Sequence, residues 1–388
     1  MDCGLIGRKL SHSFSPKIHS LLGDYTYRLI PLEPEEVGDF LQKGEFHGLN
    51  VTIPYKKTVM EYCAELTPAA RRIGSVNTIL RRPDGTLLGD NTDYNGFLYQ
   101  LNATGAQVAG KKALVLGSGG ASLTVRTVLA ELGAREIVVI SRTGENNYHN
   151  LGRHADAQII VNATPVGMYP KNGESLIDLS QFPHCEAVFD LIYNPAKTQL
   201  LLQAQRRGLI WANGLGMLVA QAKVASERFQ GKELPDSLVA QIIRRLERET
   251  HNILLIGMPG CGKTTIGQAL AQKLGRPLAD VDEKIVAEAG CSIPEIFAKE
   301  SGLIISAGGG IVTRPENRDP MEENSVVVWL RRDLHKLPTD GRPVSQSVPL
   351  EELYRRRAPL YEAAAQVTVD NNGTVEQTVD EIIKRVME

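Results

Sequence analysis

Cysteine is scarce and scattered in this 388-residue sequence: Cys3, Cys63, Cys185, Cys261 and Cys291 form no CxxC pair and have no histidine at ligand spacing. That argues against a structural zinc site, and an odd number of dispersed thiols reads as reduced cysteine in a cytoplasmic setting. An excess of one charge is missing too. Lys and Arg number 43 against 45 Asp and Glu, a formal net charge of −2, so nothing global draws the chain to nucleic acid or an anionic membrane. Long hydrophobic runs are absent: stretches such as residues 253–256 and 326–330 are far too short to span a bilayer. The start carries Asp2 and no sustained apolar segment, so no signal peptide is expected. What is present, 42% hydrophobic and 23% charged residues, is the composition of an ordinary globular protein. The length exceeds what one core usually serves and predicts two or three domains.

Two segments show a strand, a glycine-rich turn and then a helix. In the first, Ala113-Leu114-Val115-Leu116 runs into GSGGAS at residues 117–122 and an amphipathic stretch reaching Leu132. In the second, Ile253-Leu254-Leu255-Ile256 runs into GMPGCGKT at residues 257–264 and a helical stretch to Leu274. Both read as opening units of α/β sheets, but of different phosphate-binding types, so they are not an internal repeat. The divide between them is expected near residue 250. There a helix striped by Leu238, Val239, Ile242, Ile243 and Leu246 frays into the charged run 244–249 before a fresh buried strand begins. No Gly/Ser-rich linker separates the halves.

In the first half, the glycines of residues 117–122 would let the backbone approach a pyrophosphate, with the following helix supplying N–H groups and its dipole. Alone, such a turn is as often plain structure. The next strand ends in Ser141-Arg142-Thr143, where an NAD enzyme usually places an acidic residue; an arginine with flanking hydroxyls suits a 2′-phosphate instead. An arginine at a strand end reads equally well as a surface side chain. Before residue 100 small polar residues abound, among them Ser11, Ser13, Ser15, Asn50, Thr52, Asn77, Asn91 and Thr92, with Lys56 and Asp93 37 positions apart. Spacing makes no pair of those two.

The strings LSHSFSP, NVTIPYK, GSVNT, GDNTDYNG, GSGGAS, NATPVGM and GLGMLVAQ, in this order over roughly residues 1–246, resemble the shikimate dehydrogenase family. The resemblance implies a substrate domain over 1–100, completed by 214–248, and a Rossmann-like NADP domain over 101–213. It implies that Ser13 and Ser15 hold the substrate carboxylate and that Asn50, Thr52, Asn77, Tyr193 and Gln221 line the substrate. Lys56 and Asp93 would be the catalytic pair. Gly117, Ser118, Gly119, Gly120, Ala121, Ser141, Arg142, Thr143 and Gly214 would meet NADP(H). The loop after Arg142 runs Gly144-Glu145-Asn146-Asn147, where the family often has a second arginine. A quinate-preferring dehydrogenase of the same family is the nearest alternative, against which Ser13 and Ser15 speak.

In the second half, residues 257–264 fit the pattern G-x-x-x-x-G-K-[ST]. Its backbone N–H groups cradle ATP phosphates, the lysine reaches the β- and γ-phosphates, and the hydroxyl binds Mg²⁺. Asp280 and Asp282 close a second strand, and alternation would put both carboxylates on one face. A further strand over 303–305 leads to Gly308, Gly309 and Gly310, and RRRAPLY at 355–361 places several arginines on a helix.

These motifs resemble shikimate kinase over about residues 252–388, an α/β P-loop domain with a parallel sheet. The resemblance implies Gly257, Gly260, Gly262, Lys263, Thr264, Thr265 and Arg342 as ATP contacts. It makes Thr264 and Asp280 the magnesium side, and Lys263 and Asp282 the catalytic residues. Gly308, Gly309, Gly310 and Arg357 would meet the substrate. Where the family has a segment with a Phe-Arg pair, this chain passes from Ile296-Phe297-Ala298-Lys299-Glu300 directly into Ser301-Gly302-Leu303. Two outcomes follow: a cytoplasmic two-step enzyme acting on 3-dehydroshikimate and shikimate with NADP(H), ATP and Mg²⁺, or a dehydrogenase fused to a nucleotide-sensing module. Neither involves nucleic acid or membrane, and homo-oligomerisation stays open.

Overall fold

Two runs, Lys112–Leu116 and Asn252–Ile256, each a polar residue followed by four aliphatic ones, are buried at every position, as inner strands of a parallel sheet covered on both faces must be. A computed structural model of the chain describes residues 2–10, 13–281, 301–337 and 349–387 and sets these two runs inside separate sheets, each with a strand on either side.

The chain folds into two compact units. One comprises Met1–Val166, Ser175–Tyr193 and Gln203–Arg244; the other comprises Gly167–Glu174, Asn194–Leu202 and Arg245–Glu388. The second unit thus takes in two short stretches that lie well before residue 250.

The first unit holds two sheets. Strands β1 (Asp2–Gly7), β2 (Thr26–Pro31), β3 (Gly48–Val51), β4 (Glu65–Leu66), β5 (Thr78–Arg81) and β6 (Leu87–Asp90) order as β2-β1-β3-β5-β6-β4. This sheet is mixed, with β5 antiparallel to both β3 and β6. Its core gathers Ile6, Leu49, Val51, Val59 and Ile79. Strands β7 (Lys112–Leu116), β8 (Glu136–Ile140), β9 (Ile159–Asn162), β10 (Ala187–Asp190) and β11 (Ile210–Ala212) order as β11-β10-β9-β7-β8, all parallel. The order reverses between β7 and β9, so a crevice opens outside their carboxyl ends, the usual ligand position of such sheets. The segments leaving those two ends are GSGGAS and the NATPV stretch.

The second unit holds β12 (Asn252–Ile256), β13 (Leu278–Asp280), β14 (Ile304–Ser306), β15 (Ser325–Arg331) and β16 (Val367–Asp370), ordered β13-β14-β12-β15-β16 and all parallel. Leu254, Leu255, Leu270, Ile305 and Val328 fill its core. Each such side chain, fully buried, contributes about 1.5–3 kcal/mol.

Two expectations change. The helix before β12 does not fray at 244–249 but runs unbroken over Ser237–Thr250. Arginine and glutamate are good helix formers, and Arg245 and Glu249 pair one turn apart at 3.0 Å. The strand carrying the Asp-x-Asp pattern ends at Asp280, and Val281 already has helical backbone. Asp282 lies outside the described residues, as does Arg342.

Candidate functional site

In the first unit, β3 is followed by a turn that carries Lys56, and β6 is followed by the helix Asp93–Thr104, whose first residue is Asp93. The antiparallel pairing of β5 with both β3 and β6 brings the ends of these segments together. Lys56 Nζ donates to Asp93 Oδ2 at 2.5 Å, both side chains being largely buried. The two groups that spacing left unpaired are thus in contact.

Asn77, just before β5, holds the aspartate from the other side, its Nδ2 donating to Asp93 Oδ1 at 2.9 Å. The same amide nitrogen lies 3.1 Å from Thr92 Oγ1 and 3.4 Å from Gln221 Oε1, and Asn77 Oδ1 accepts from the Thr92 backbone N–H at 2.7 Å. Gln221 comes from the helix Leu215–Gln230, far along the chain. Asn50, on β3, joins through Thr78, its Nδ2 donating to Thr78 Oγ1 at 3.2 Å. Asn50, Asn77, Thr92, Asp93 and Gln221 are all buried. A buried polar network with its members mutually bonded is rigid, because any unmade bond costs about 1–3 kcal/mol of desolvation.

Ser13 and Ser15 occur at the start of the helix Ser15–Leu22, where the Ser15 N–H donates to Ser13 Oγ at 3.2 Å. Between them Phe14 packs on Tyr193, ring centroids 5.2 Å apart, and burial raises the Tyr193 pKa. Thr52 is placed through its backbone, its N–H donating to Ile6 O at 3.0 Å and its carbonyl accepting from Tyr55 N–H at 3.0 Å. Sequence reading missed Thr78 and Thr92 as members of the network. They lie inside the GSVNT and GDNTDYNG strings, so the signal was there but reads as turn chemistry.

The turn after β7 is shaped for an anion. Gly117 takes φ of 101°, and a side chain there would strike Thr164 Cγ2 at 2.7 Å. A Cβ on Gly119 or Gly120 would meet nothing of this chain within 4 Å, so bare backbone is exposed where the helix Gly120–Glu131 begins. That open cradle at a helix N-terminus fits a dinucleotide pyrophosphate. Arg142 stands exposed beyond β8, and the loop that follows folds back so that Ser141 N–H bonds Asn146 O at 3.1 Å. Gly214 has a different reason to be glycine: a Cβ would come 2.1 Å from the Leu191 carbonyl oxygen.

In the second unit the phosphate loop leaves the end of β12. Gly257, Gly260 and Gly262 have φ of 146°, 82° and 96°, and the helix Lys263–Leu274 follows at once. Lys263 is buried, and its Nζ donates to the carbonyls of Gly257 and Met258 at 3.1 Å each. Thr264 Oγ1 lies 3.2 Å from Asp280 Oδ2 and 3.3 Å from Ser306 Oγ, while Thr265 is exposed on the next position. Two hydroxyls and a carboxylate are the hard oxygen donors that magnesium prefers. Ser306, which sequence reading missed, belongs to this group. Among the described residues no cluster of three His, Cys, Asp or Glu could hold a metal, so any ion here would keep most of its ligands as water and phosphate.

Gly308, Gly309 and Gly310 follow β14. A Cβ on Gly309 would come 2.9 Å from Pro259 Cδ, so this glycine is needed for the approach to the phosphate loop. Tyr361 donates its hydroxyl to Gly309 O at 2.6 Å, and burial pushes its pKa up to about 12. Arg357, from the same helix Leu350–Ala364, has an Nη2 4.0 Å from the Cβ position of Gly310. The three glycines and Arg357 are thus brought together. Among the described residues no helix is long and apolar enough to cross a membrane.

Comparison with known proteins agrees with both readings. Residues 5–79 match the shikimate dehydrogenase substrate binding domain. Residues 259–302 and 298–387 match shikimate kinase in two pieces, which meet beside the place where the Phe-Arg segment has no counterpart. Shikimate dehydrogenase (NADP(+)) of Clostridium beijerinckii is 36% identical over 265 residues, 63% of this chain and 98% of that protein. The Methanopyrus kandleri enzyme of the same name is 38% identical over 272 residues, 62% and 93% of the two chains. Among solved structures, a chorismate mutase/shikimate 5-dehydrogenase fusion protein from Clostridium acetobutylicum aligns with a TM-score of 0.60 at 36% identity, over 63% of this chain and 96% of that one. Shikimate 5-dehydrogenase from Thermus thermophilus, in complex with NADP(H) and shikimate, aligns with a TM-score of 0.58 at 32% identity, over 63% and 99%. The chain therefore belongs to the shikimate dehydrogenase family and carries a shikimate kinase domain behind the dehydrogenase.

Proposed function

We propose that the chain catalyses two successive steps, NADPH-dependent reduction of 3-dehydroshikimate to shikimate and MgATP-dependent phosphorylation of the shikimate 3-hydroxyl. The bonded Lys56–Asp93–Asn77 arrangement carries the first half of this reading. Bound NADPH supplies the hydride. The residues of the chain handle the charge and the proton that go with it. A ketone oxygen that gains negative charge needs a positive donor at hydrogen-bond distance, and the Lys56 ammonium is held for that task by Asp93. Asn77 keeps Asp93 from turning away. Ser13 and Ser15 bind the substrate carboxylate, Asn50, Asn77, Tyr193 and Gln221 orient the ring, and Thr52 closes the same wall. Gly117, Ser118, Gly119, Gly120, Ala121, Gly214 and the Ser141–Arg142–Thr143 corner take the dinucleotide, with Arg142 on its 2′-phosphate.

For the second half, the loop 257–264 holds the ATP phosphates with Lys263, and Thr264 with Asp280 serves Mg²⁺. Asp282 accepts the hydroxyl proton, Arg342 stands near the phosphates, and Arg357 with the three glycines holds shikimate. The split kinase match beside the missing Phe-Arg segment favours one other reading, a nucleotide-sensing module that governs the dehydrogenase. Two assays on the full chain decide. Shikimate-dependent ADP release establishes the kinase. A dehydrogenase rate that responds to ATP, without ADP release, establishes the sensor and overturns the two-step reading.

A further inference from the structure

Asn50 is placed for substrate by a residue that the proposed site does not include. An amide presents two lone pairs on one side and two N–H groups on the other, so its usefulness to a ligand depends on which way it is turned. Asn50 Oδ1 accepts the Tyr27 hydroxyl hydrogen at 2.7 Å, and Nδ2 donates to Thr78 Oγ1 at 3.2 Å. The Tyr27 hydroxyl thereby decides which side of the Asn50 amide is its oxygen.

Tyr27 is itself held firmly. Its ring lies flat on His19, centroids 3.9 Å apart and planes within 9°. His19 is fully buried, and burial pushes its pKa down to about 3, so the ring stays neutral at physiological pH. Its Nδ1 bonds the Tyr25 hydroxyl at 2.6 Å, and that hydroxyl donates to Ser226 Oγ at 2.8 Å. Phe229 flanks the same imidazole, centroids 5.9 Å apart. The stack anchors the Tyr27 ring to the helix Ser15–Leu22, whose first residue is Ser15.

We propose that Tyr27 is a positioning residue for the dehydrogenase substrate, its hydroxyl turning the Asn50 amide toward the ring hydroxyls and its ring, stacked on His19, tying that amide to the helix that Ser15 opens. The ligand class it serves is a cyclic polyol carboxylate, which must satisfy a carboxylate-binding hydroxyl and a hydroxyl-binding amide at one separation. This rests on the reading of Asn50 and Ser15 as substrate contacts.

The test is steady-state kinetics of the full chain bearing Tyr27→Phe, which keeps the ring stacked on His19 and removes only the oxygen. KM for shikimate and for 3-dehydroshikimate is expected to rise about five- to tenfold, the worth of one hydrogen bond, with kcat within twofold and KM for NADPH unchanged. Asn50→Ala alone is expected to raise the same KM, and adding Tyr27→Phe to it should then change little. If Asn50→Ala leaves KM unaltered, the substrate role of Asn50 is wrong and the proposal goes with it. If Asn50→Ala raises KM while Tyr27→Phe does not, the proposal alone is overturned. A Tyr27→Phe protein that loses kcat, NADPH affinity and thermal stability together would show a merely structural tyrosine and overturn it too.

Discussion

Around the turn after β12, groups expected to handle phosphate sit side by side in the chain: Lys263 and Thr264 are consecutive, and Gly257, Gly260 and Gly262, which shape the loop, come directly before them. Around Lys56 the residues come from four distant segments of the chain. Lys56 is on a turn, its partner Asp93 opens a helix, Asn77 comes from the segment before β5, and Gln221 from a helix 144 positions beyond Asn77. The difference follows from what is bound. A polyphosphate is recognised mainly by backbone N–H groups and a helix end, which one turn can supply. A ring with several hydroxyls and a carboxylate needs side chains of different types converging from several directions, and only tertiary structure brings these together.

The largest test of this comparison separates the two halves outright. Lys56→Ala is expected to lower kcat for reduction by about 10³-fold, within the range of general acid–base catalysis, while shikimate-dependent ADP release stays unchanged. Lys263→Ala should do the converse, abolishing ADP release and leaving reduction intact. Parallel assays of the two single variants check both. A variant that silences both activities would mean that the halves are not chemically independent, and the contrast drawn here would fail.

Metal removal gives the next contrast. Thr264, Asp280 and Ser306 offer hard oxygens, whereas the Lys56 site offers a cation already paired with a carboxylate. Excess EDTA is therefore expected to stop ADP release completely and to change the reduction rate by less than twofold, with Mg²⁺ restoring the first. Loss of reduction under EDTA would place a metal where the structure shows an ammonium.

The same contrast explains what could be read from sequence. The strand–turn–helix units at 113–131 and 252–274 were legible because hydrophobic runs, glycines and helix patterns are local signals. So was the stripe of Val239, Ile242 and Leu246, although the charged run behind it proved helical. The Lys56–Asp93 pair was not legible from spacing, since a contact across 37 positions depends on how β3, β5 and β6 pair; family resemblance supplied the expectation. Thr78, Thr92, Ser306 and Tyr27 escaped because a threonine, serine or tyrosine in a strand or turn carries no mark of its partner. The strand that Asp280 closes is one residue pair shorter than the alternating pattern suggested, because the backbone already leaves the extended form at Val281.

The smallest expected effect concerns stability and contrasts two buried carboxylates. Asp93 is paired with a lysine in the first unit, whereas Glu323 in the second unit accepts from the Asn172 amide at 3.0 Å. Burial raises the Glu323 pKa from 4.5 to about 7, the Asn172 bond lowering it and the nearby Asp319 raising it further. Between those two values the folded chain holds a proton that the unfolded chain releases. Stability supplied by this group is thus full below about pH 4.5 and is lost as pH rises through about 7. Glu323→Gln keeps an oxygen for Asn172 and has no proton to lose, so its melting temperature should match the parent near pH 5 and exceed it at pH 8. The expected gain at the higher pH is about 1–3 kcal/mol, given about 1.4 kcal/mol per pKa unit. Thermal melts of the parent and variant at the two pH values measure it. A gap that is constant between pH 5 and 8, or that opens toward low pH, would mean that Glu323 is ionised in the folded chain and is held as Asp93 is, by positive charge.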